Sequence, residues 1–235
     1  MLAELDGLLL VDKPAGISAH EVMKGVKTRF NLVKVGHGGT LDVTASGLFV
    51  LLLGNANRFS NSLMNADRSY VAKLRLGRET DTFDHAGRIL SEKPFDGVTA
   101  ETLESALKDL RGDVYQSPPP FSAVKIPGHE GYEIVQTPED EAGRERMVHV
   151  YRFAVDEFAP PFVGVRISCT KGASPRSLAG ALGRSLGCGA VLDECRRVAV
   201  GRHRLEDALP FMEIMKLDAM DFKARVVPTA EAGFR

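Results

Sequence analysis

Hydrophobic residues in this chain fall into a few clear patterns. Leu8–Val11 and Leu48–Leu53 are continuous apolar runs, short enough for buried strands. Residues 69–77 alternate instead, with Tyr70, Ala72, Leu74 and Leu76 set against Val71, Lys73 and Arg75, and predict a half-buried strand. Two further alternating stretches, 147–157 and 163–170, predict a hairpin turning at Pro160-Pro161. Ser18-Ala19-His20-Glu21 is a capping box, and Val22, Val26 and Phe30 recur on one face of the helix it opens.

Gly54-Asn55 predicts another helix, with Phe59 and Leu63 facing inward. Thr99 caps a helix to about Leu110, with Gly112 as the residue past its end. Ser174-Pro175 places a cap and a first-turn proline at the head of a helix that Gly187 closes. Beyond it the pattern predicts a short helix over 190–195, a strand over 196–200 and a final helix from Leu205. Residues 77–87 predict a polar hairpin loop, since Asp81 and Asp84 lack the further oxygens of a calcium loop. Residues 116–146, with four prolines and the acidic Glu139-Asp140-Glu141, predict a mobile segment able to close over a ligand. Lys125 and Tyr132 are its candidate contact residues. Strands of antiparallel character with helices between them give an α+β fold.

Composition narrows the setting. The 235 residues are 44% hydrophobic and 26% charged, as in ordinary globular proteins. Three cysteines without a C-x-x-C point to a reduced, cytoplasmic compartment, and six scattered histidines predict no metal site. The first six residues include Glu4 and Asp6 and have no basic leader. The net charge of −1 hides an acidic middle and a basic C-terminal third. That third holds Arg166, Arg176, Arg184, Arg196, Arg197, Arg202 and Arg204. Arginine suits bidentate phosphate contact, so these residues fit a polyanion-binding face. They equally fit a rim of structural pairs.

The candidate chemistry centres on residues 34–47, KVGHGGTLDVTASG. Asp42 is its only carboxylate, framed by glycines and followed directly by an apolar strand. Most loop aspartates form turns, yet a carboxylate held firmly and reachable from outside is also how a catalytic acid is displayed. Arg176 falls in the first turn of its predicted helix, where a cation opposes the helix dipole and a nearby anion would offset the cost.

Five blocks, in order, resemble the TruB-type tRNA pseudouridine synthases: GLLLVDKPAGIS, GHGGTLDVTASGLFVLLLGNANRFS, SYVAKLRLGRETDTFDHAGRI, QSPPPFSAVK and KGASPRSLAGALGRSLGCGAVLDECRR. The resemblance covers residues 7–209. It implies a mixed, mostly antiparallel sheet flanked by helices, forming a catalytic domain over 1–209; the 26 residues of the short tail 210–235 are too few for the PUA-like domain that many relatives append. It also implies conversion of uridine 55 in the tRNA T arm to pseudouridine, without a cofactor, by a monomer.

Block by block, the resemblance makes Asp42 the catalytic aspartate and Arg176 its partner. It gives His37 the task of holding the flipped-out substrate and Tyr70 that of stacking on the uracil. Lys13 would line the site, and 116–146 would fold over the RNA stem-loop. Two positions depart from the family pattern: Val43 stands where proline is usual, and Ser174 where tyrosine is. Two other readings remain open at this point. One is an RNA-binding or folding module with impaired catalysis. The other is an aspartyl-phosphate phosphotransferase, although Thr44 breaks the Asp-x-Asp pattern such enzymes use.

Overall fold

The computed structural model describes residues 5–117, 121–125, 132–136 and 145–233, which fall into two units. The first unit takes the chain as far as Arg68 and again from Arg196 onward. It begins with β1 (Gly7–Lys13), α1 (Ala19–Arg29), β2 (Val35–His37) and β3 (Ser46–Leu53). A 3-10 turn, Gly54–Phe59, then runs into the short α2 (Ser60–Met64). The capping box forms as the sequence predicts: Ser18 accepts from the Glu21 N–H, and Glu21 accepts from the Ser18 N–H.

The two continuous apolar runs lie in β1 and β3, which pair antiparallel from Gly7 opposite Leu53 to Lys13 opposite Gly47. Successive strand side chains point to opposite faces. Leu9, Val11, Phe49, Leu51 and Leu53 therefore join Val22, Val26 and Phe30 in one apolar cluster. Leu8, Leu10, Leu48, Val50 and Leu52 build a second. A run without polar members is what a strand covered on both faces requires.

The second unit, Ser69–Cys195, opens with β4 (Arg68–Leu76), whose first residue belongs to the other unit. Then come β5 (Arg78–Thr80), β6 (Ile89–Glu92), α3 (Ala100–Lys108) and β7 (Gly112–Gln116). They are followed by β8 (Phe121–Lys125), β9 (Tyr132–Gln136), β10 (Arg146–Ala159), β11 (Phe162–Cys169), α4 (Pro175–Leu186) and β12 (Ala190–Val200). The sheet order here is β12-β4-β11-β10-β7. Leu74, Val150, Phe153, Val165 and Ile167 are buried, as are Leu103 and Leu107 of α3 and Leu178 and Leu182 of α4. Val71, Tyr115, Met147 and Tyr151 are exposed. The mixed, mostly antiparallel sheet with its helices is the expected α+β fold.

The structure corrects the sequence reading in several places. Residues 190–200 form one strand rather than a helix and a strand. Near Arg196 and Arg197 it pairs in parallel with β3, and local pattern could not reveal so distant a neighbour. The helix α3 ends at Lys108 with Asp109 as its cap, and Gly112, at φ +78°, opens β7 instead. The span 116–146 contains the β8–β9 hairpin, while the remaining residues of its interior lie outside those described.

The predicted final helix from Leu205 is a 3-10 turn. Around it the first unit continues with β13 (His203–Arg204), β14 (Leu209–Pro210), α5 (Phe211–Ile214) and α6 (Ala219–Ala224). The described residues past Leu209 pack within the first unit. The strand β14 pairs in parallel with β1, and Leu8 and Val227 exchange backbone hydrogen bonds of 2.8 Å. Arg29 donates to the carbonyls of Met215 and Leu217. Phe222, fully buried, stacks on Phe30 with centroids 3.6 Å apart. Phe222→Ala should therefore lower stability by about 3–5 kcal/mol in urea unfolding, whereas Met220→Ala, at a side chain 77% exposed, should stay within about 0.5 kcal/mol.

Candidate functional site

In the first unit Asp42 is exposed on the loop between β2 and β3. Backbone bonds fix that loop: the Ala45 N–H donates to the Asp42 carbonyl (3.1 Å), and the Gly16 N–H donates to the Val43 carbonyl (2.8 Å). The second bond ties the Asp42 loop to the Lys13–Gly16 turn. Gly47, at φ +102°, follows, and a side chain there would collide with the backbone of Arg197. Glycine at this position therefore lets β3 and β12 approach.

Two adjacent arginines of β12 point to opposite faces of the strand, and Arg197 braces the loop. Arg197 is only 2% exposed; its Nε donates to the Leu48 carbonyl (2.8 Å) and its Nη1 to the Thr40 carbonyl (2.7 Å). The guanidinium thus spans the two ends of the segment carrying Asp42. Arg196 donates to Asp12 of β1 at 2.7 Å. Charge alone groups both with phosphate contacts and gives no reason to single out Asp12. The available signal was the pair itself, because two neighbours on a strand cannot both face solvent on one side.

Lys13, at the end of β1, is fully buried. Its ammonium donates to the carbonyls of Pro14 and Ile17, both at 2.8 Å. Burial pushes its pKa down to about 8; the Asp42 carboxylate opposes this shift, and the Arg197 cation adds to it. Three charged groups, Lys13, Asp42 and Arg197, are therefore electrostatically linked beside one loop. His37, half-buried in β2, accepts from the Gly39 N–H through Nδ1 (3.2 Å). That bond leaves Nε2 to carry the proton of the neutral ring.

The remaining predicted residues lie in the second unit. Tyr70 is 6% exposed, on the same buried side of β4 as Ala72 and Leu74. Arg176 is 9% exposed in the first turn of α4, where its Nη1 donates to the Thr82 carbonyl (3.2 Å). Thr82 belongs to a compact turn in which Asp84 accepts from the Thr82 hydroxyl (2.7 Å) and the Ala86 N–H (3.1 Å). Lys125 and Tyr132 are opposite one another at the end of the β8–β9 hairpin. Lys13, His37 and Asp42 thus come together in one unit, and Tyr70, Lys125, Tyr132 and Arg176 belong to the other.

Several basic residues of the C-terminal third prove structural. Arg166 pairs with Asp156 (2.6 Å), and Arg204 donates to the Gly201 carbonyl (2.7 Å). Arg184 lies over the Phe83 ring, 5.7 Å from its centroid. Of the basic residues in that third, Arg176 and Arg197 are buried, whereas Arg166, Arg184, Arg202 and Arg204 are exposed. Among the described residues no cluster of three histidine, cysteine or acidic side chains could hold a metal ion. No described helix is long and apolar enough to cross a membrane.

Residues 27–174 match the family model described as TruB family pseudouridylate synthase, N-terminal domain. Over 229 residues the chain is 37% identical to tRNA pseudouridine synthase B of Opitutus terrae, covering 97% of this chain and 95% of that protein. Over 197 residues it is 40% identical to tRNA pseudouridine synthase B of an Azoarcus species, covering 84% and 65%. Among solved structures it resembles a chain of a Cbf5-Nop10-Gar1 complex, with a TM-score of 0.77 and 27% identity. That match covers 98% of this chain and 62% of the other, so this chain spans less than two thirds of its length.

The buried lysine makes stability depend on pH. Below about pH 8 the folded and unfolded states both hold the Lys13 proton, and the cost of burying the charge is constant. Between about 8 and the unperturbed 10.5 the folded state has released it while the unfolded state retains it, so stability rises with pH. Wild type should gain stability relative to Lys13→Met across that window and show no such trend from pH 6 to 7.5. Chemical denaturation at each pH measures the difference.

Proposed function

This chain belongs to the TruB family of pseudouridylate synthases, and on that footing we propose that it converts uridine 55 in the T arm of tRNA to pseudouridine. Asp42 is the catalytic carboxylate, and no cofactor takes part. The observation that carries this reading is an exposed Asp42 on a loop pinned by backbone bonds and by a buried Arg197, with a buried Lys13 beside it. A structural turn aspartate has no need of such support.

The reaction is an isomerisation. The N1–C1′ bond breaks, the uracil turns, a C5–C1′ bond forms, and the C5 proton passes to N1 by way of solvent. Asp42 serves either by attacking C1′ or by taking the C2′ proton to give a glycal; both need an ionised carboxylate within reach of the ribose. The Lys13 ammonium is fixed on two carbonyls of the turn that is tied to the Asp42 loop. The uridine must leave its stack to be reached, at a cost of a few kcal/mol. His37 helps hold the displaced nucleotide, and Tyr70 offers the ring on which the uracil stacks. Arg176 is the guanidinium that the family pairs with its catalytic carboxylate. Lys125 and Tyr132, within the 116–146 segment, contact the RNA stem-loop.

Asp42→Asn keeps the size of the side chain but removes its charge and turns one acceptor oxygen into an NH2 donor. It should lower pseudouridine formation in a T-arm stem-loop by roughly 10³-fold or more, with thermal stability and RNA affinity close to wild type. Carbodiimide labelling followed by primer extension reads the product, and fluorescence anisotropy reads binding. An Asp42→Asn protein that still isomerises uridine would remove the assignment.

A further inference from the structure

Asp42 stands at the tip of a turn whose two shoulders are buried. Leu41 and Ala45 are withdrawn from water, and Asp42 and Val43 between them are exposed. The Ala45 N–H bond to the Asp42 carbonyl closes this turn, with Val43 as its second residue. Valine leaves φ free at a position where proline would set it. A tip of this kind, surrounded by water, keeps one geometry only if its base is held.

Arg197 holds that base. Its Nη1 donates to the Thr40 carbonyl on the N-terminal side of Asp42, and its Nε to the Leu48 carbonyl on the C-terminal side. The guanidinium is a rigid planar fork, so the two bonds together set the separation of the two ends. Strand pairing does not account for both. Arg197 and Gly47 are already register partners where β12 runs beside β3, whereas the Thr40 bond reaches past both strands into the loop. With its side chain 2% exposed, Arg197 cannot meet RNA. Whatever it contributes to the reaction passes through the loop.

We propose that Arg197 is a positioning residue for the isomerisation: it fixes the base of the Asp42 turn, and with it the place of the carboxylate, without touching the substrate. The inference rests on the catalytic reading of Asp42 above. A carboxylate that attacks C1′ or takes the C2′ proton must lie within about 3–3.5 Å of its target, and a misplacement of about 1 Å can cost about a hundredfold in rate. The signature of such a residue is a loss of rate without a loss of affinity.

The test measures single-turnover isomerisation of a T-arm stem-loop and, separately, its binding, at a temperature where circular dichroism shows each variant folded. Arg197→Gln is neutral, so it leaves no unpaired buried charge. It carries one donor nitrogen in place of the two that Arg197 uses. It should isomerise the stem-loop about a hundredfold more slowly, with affinity close to wild type. Val43→Pro, which sets φ at the second turn position, should recover part of the lost rate in that background. Phe222→Ala, destabilised through a different contact, should keep the wild-type rate. A wild-type rate in Arg197→Gln would overturn the assignment. So would a loss of affinity that matches the loss of rate, an equal slowing in Phe222→Ala, or no recovery with Val43→Pro. Should Arg197→Gln not fold, Val43→Gly loosens the same turn from its exposed side, and a wild-type rate there would equally overturn it. If wild type does not isomerise the stem-loop, the proposed function itself fails; if wild type and Arg197→Gln are equally active, only the positioning role does.

Discussion

The buried guanidinium of Arg197 is the constraint on which the Asp42 loop depends. A cation withdrawn from water is tolerated only when its hydrogen bonds are replaced. Here the replacements include the carbonyls of Thr40 and Leu48, one on each side of Asp42. Hydrogen bonds to charged groups are worth about 1.5–3 kcal/mol each, so the loop cannot open without leaving the charge unsatisfied. The arrangement needs β12 to run close beside β3, and Gly47 permits that approach. Burial of Lys13 follows from the same crowding. Its ammonium has two carbonyls and the nearby Asp42 charge to offset the loss of water.

The two departures from the family pattern have local physical explanations. Val43 lacks the fixed φ of proline, but its carbonyl accepts the Gly16 N–H, and that bond restrains the loop beside Asp42 from outside. Ser174 lacks the tyrosine ring, but its hydroxyl caps α4 by accepting from the Ser177 N–H, and its own N–H donates to Gln116. The first turn of α4, which carries Arg176, is therefore fixed without an aromatic residue. Arg176 meets the unfavourable end of the helix dipole with a backbone carbonyl, that of Thr82, among its partners.

The two units use their sheets differently. In the first, β1 and β3 are covered on both faces, and the residues after Leu209 complete that cover through Ile214, Phe222 and Val226. In the second, the buried side chains of β4, β10 and β11 alternate with exposed ones. A strand buried on both faces can present only its ends and loops to a ligand. A strand with one open face can present a row of side chains, as β7 and β10 do.

Strands, caps and the candidate acid were legible in the sequence because their signals are local. The apolar runs, the Ser18–Glu21 box, the Ser174 cap and the glycine frame around Asp42 all lie within a few residues of what they specify. The family resemblance added His37, Tyr70 and Arg176 by position, without geometry. Tertiary structure alone decided that Arg196 and Arg197 brace the interior, that 190–200 is a single strand, and that the C-terminal segment belongs to the first core. Each of these rests on partners more than a hundred residues away, such as Leu48 for Arg197 and Phe30 for Phe222. Local periodicity records which side of an element is apolar; it does not record what that side will meet.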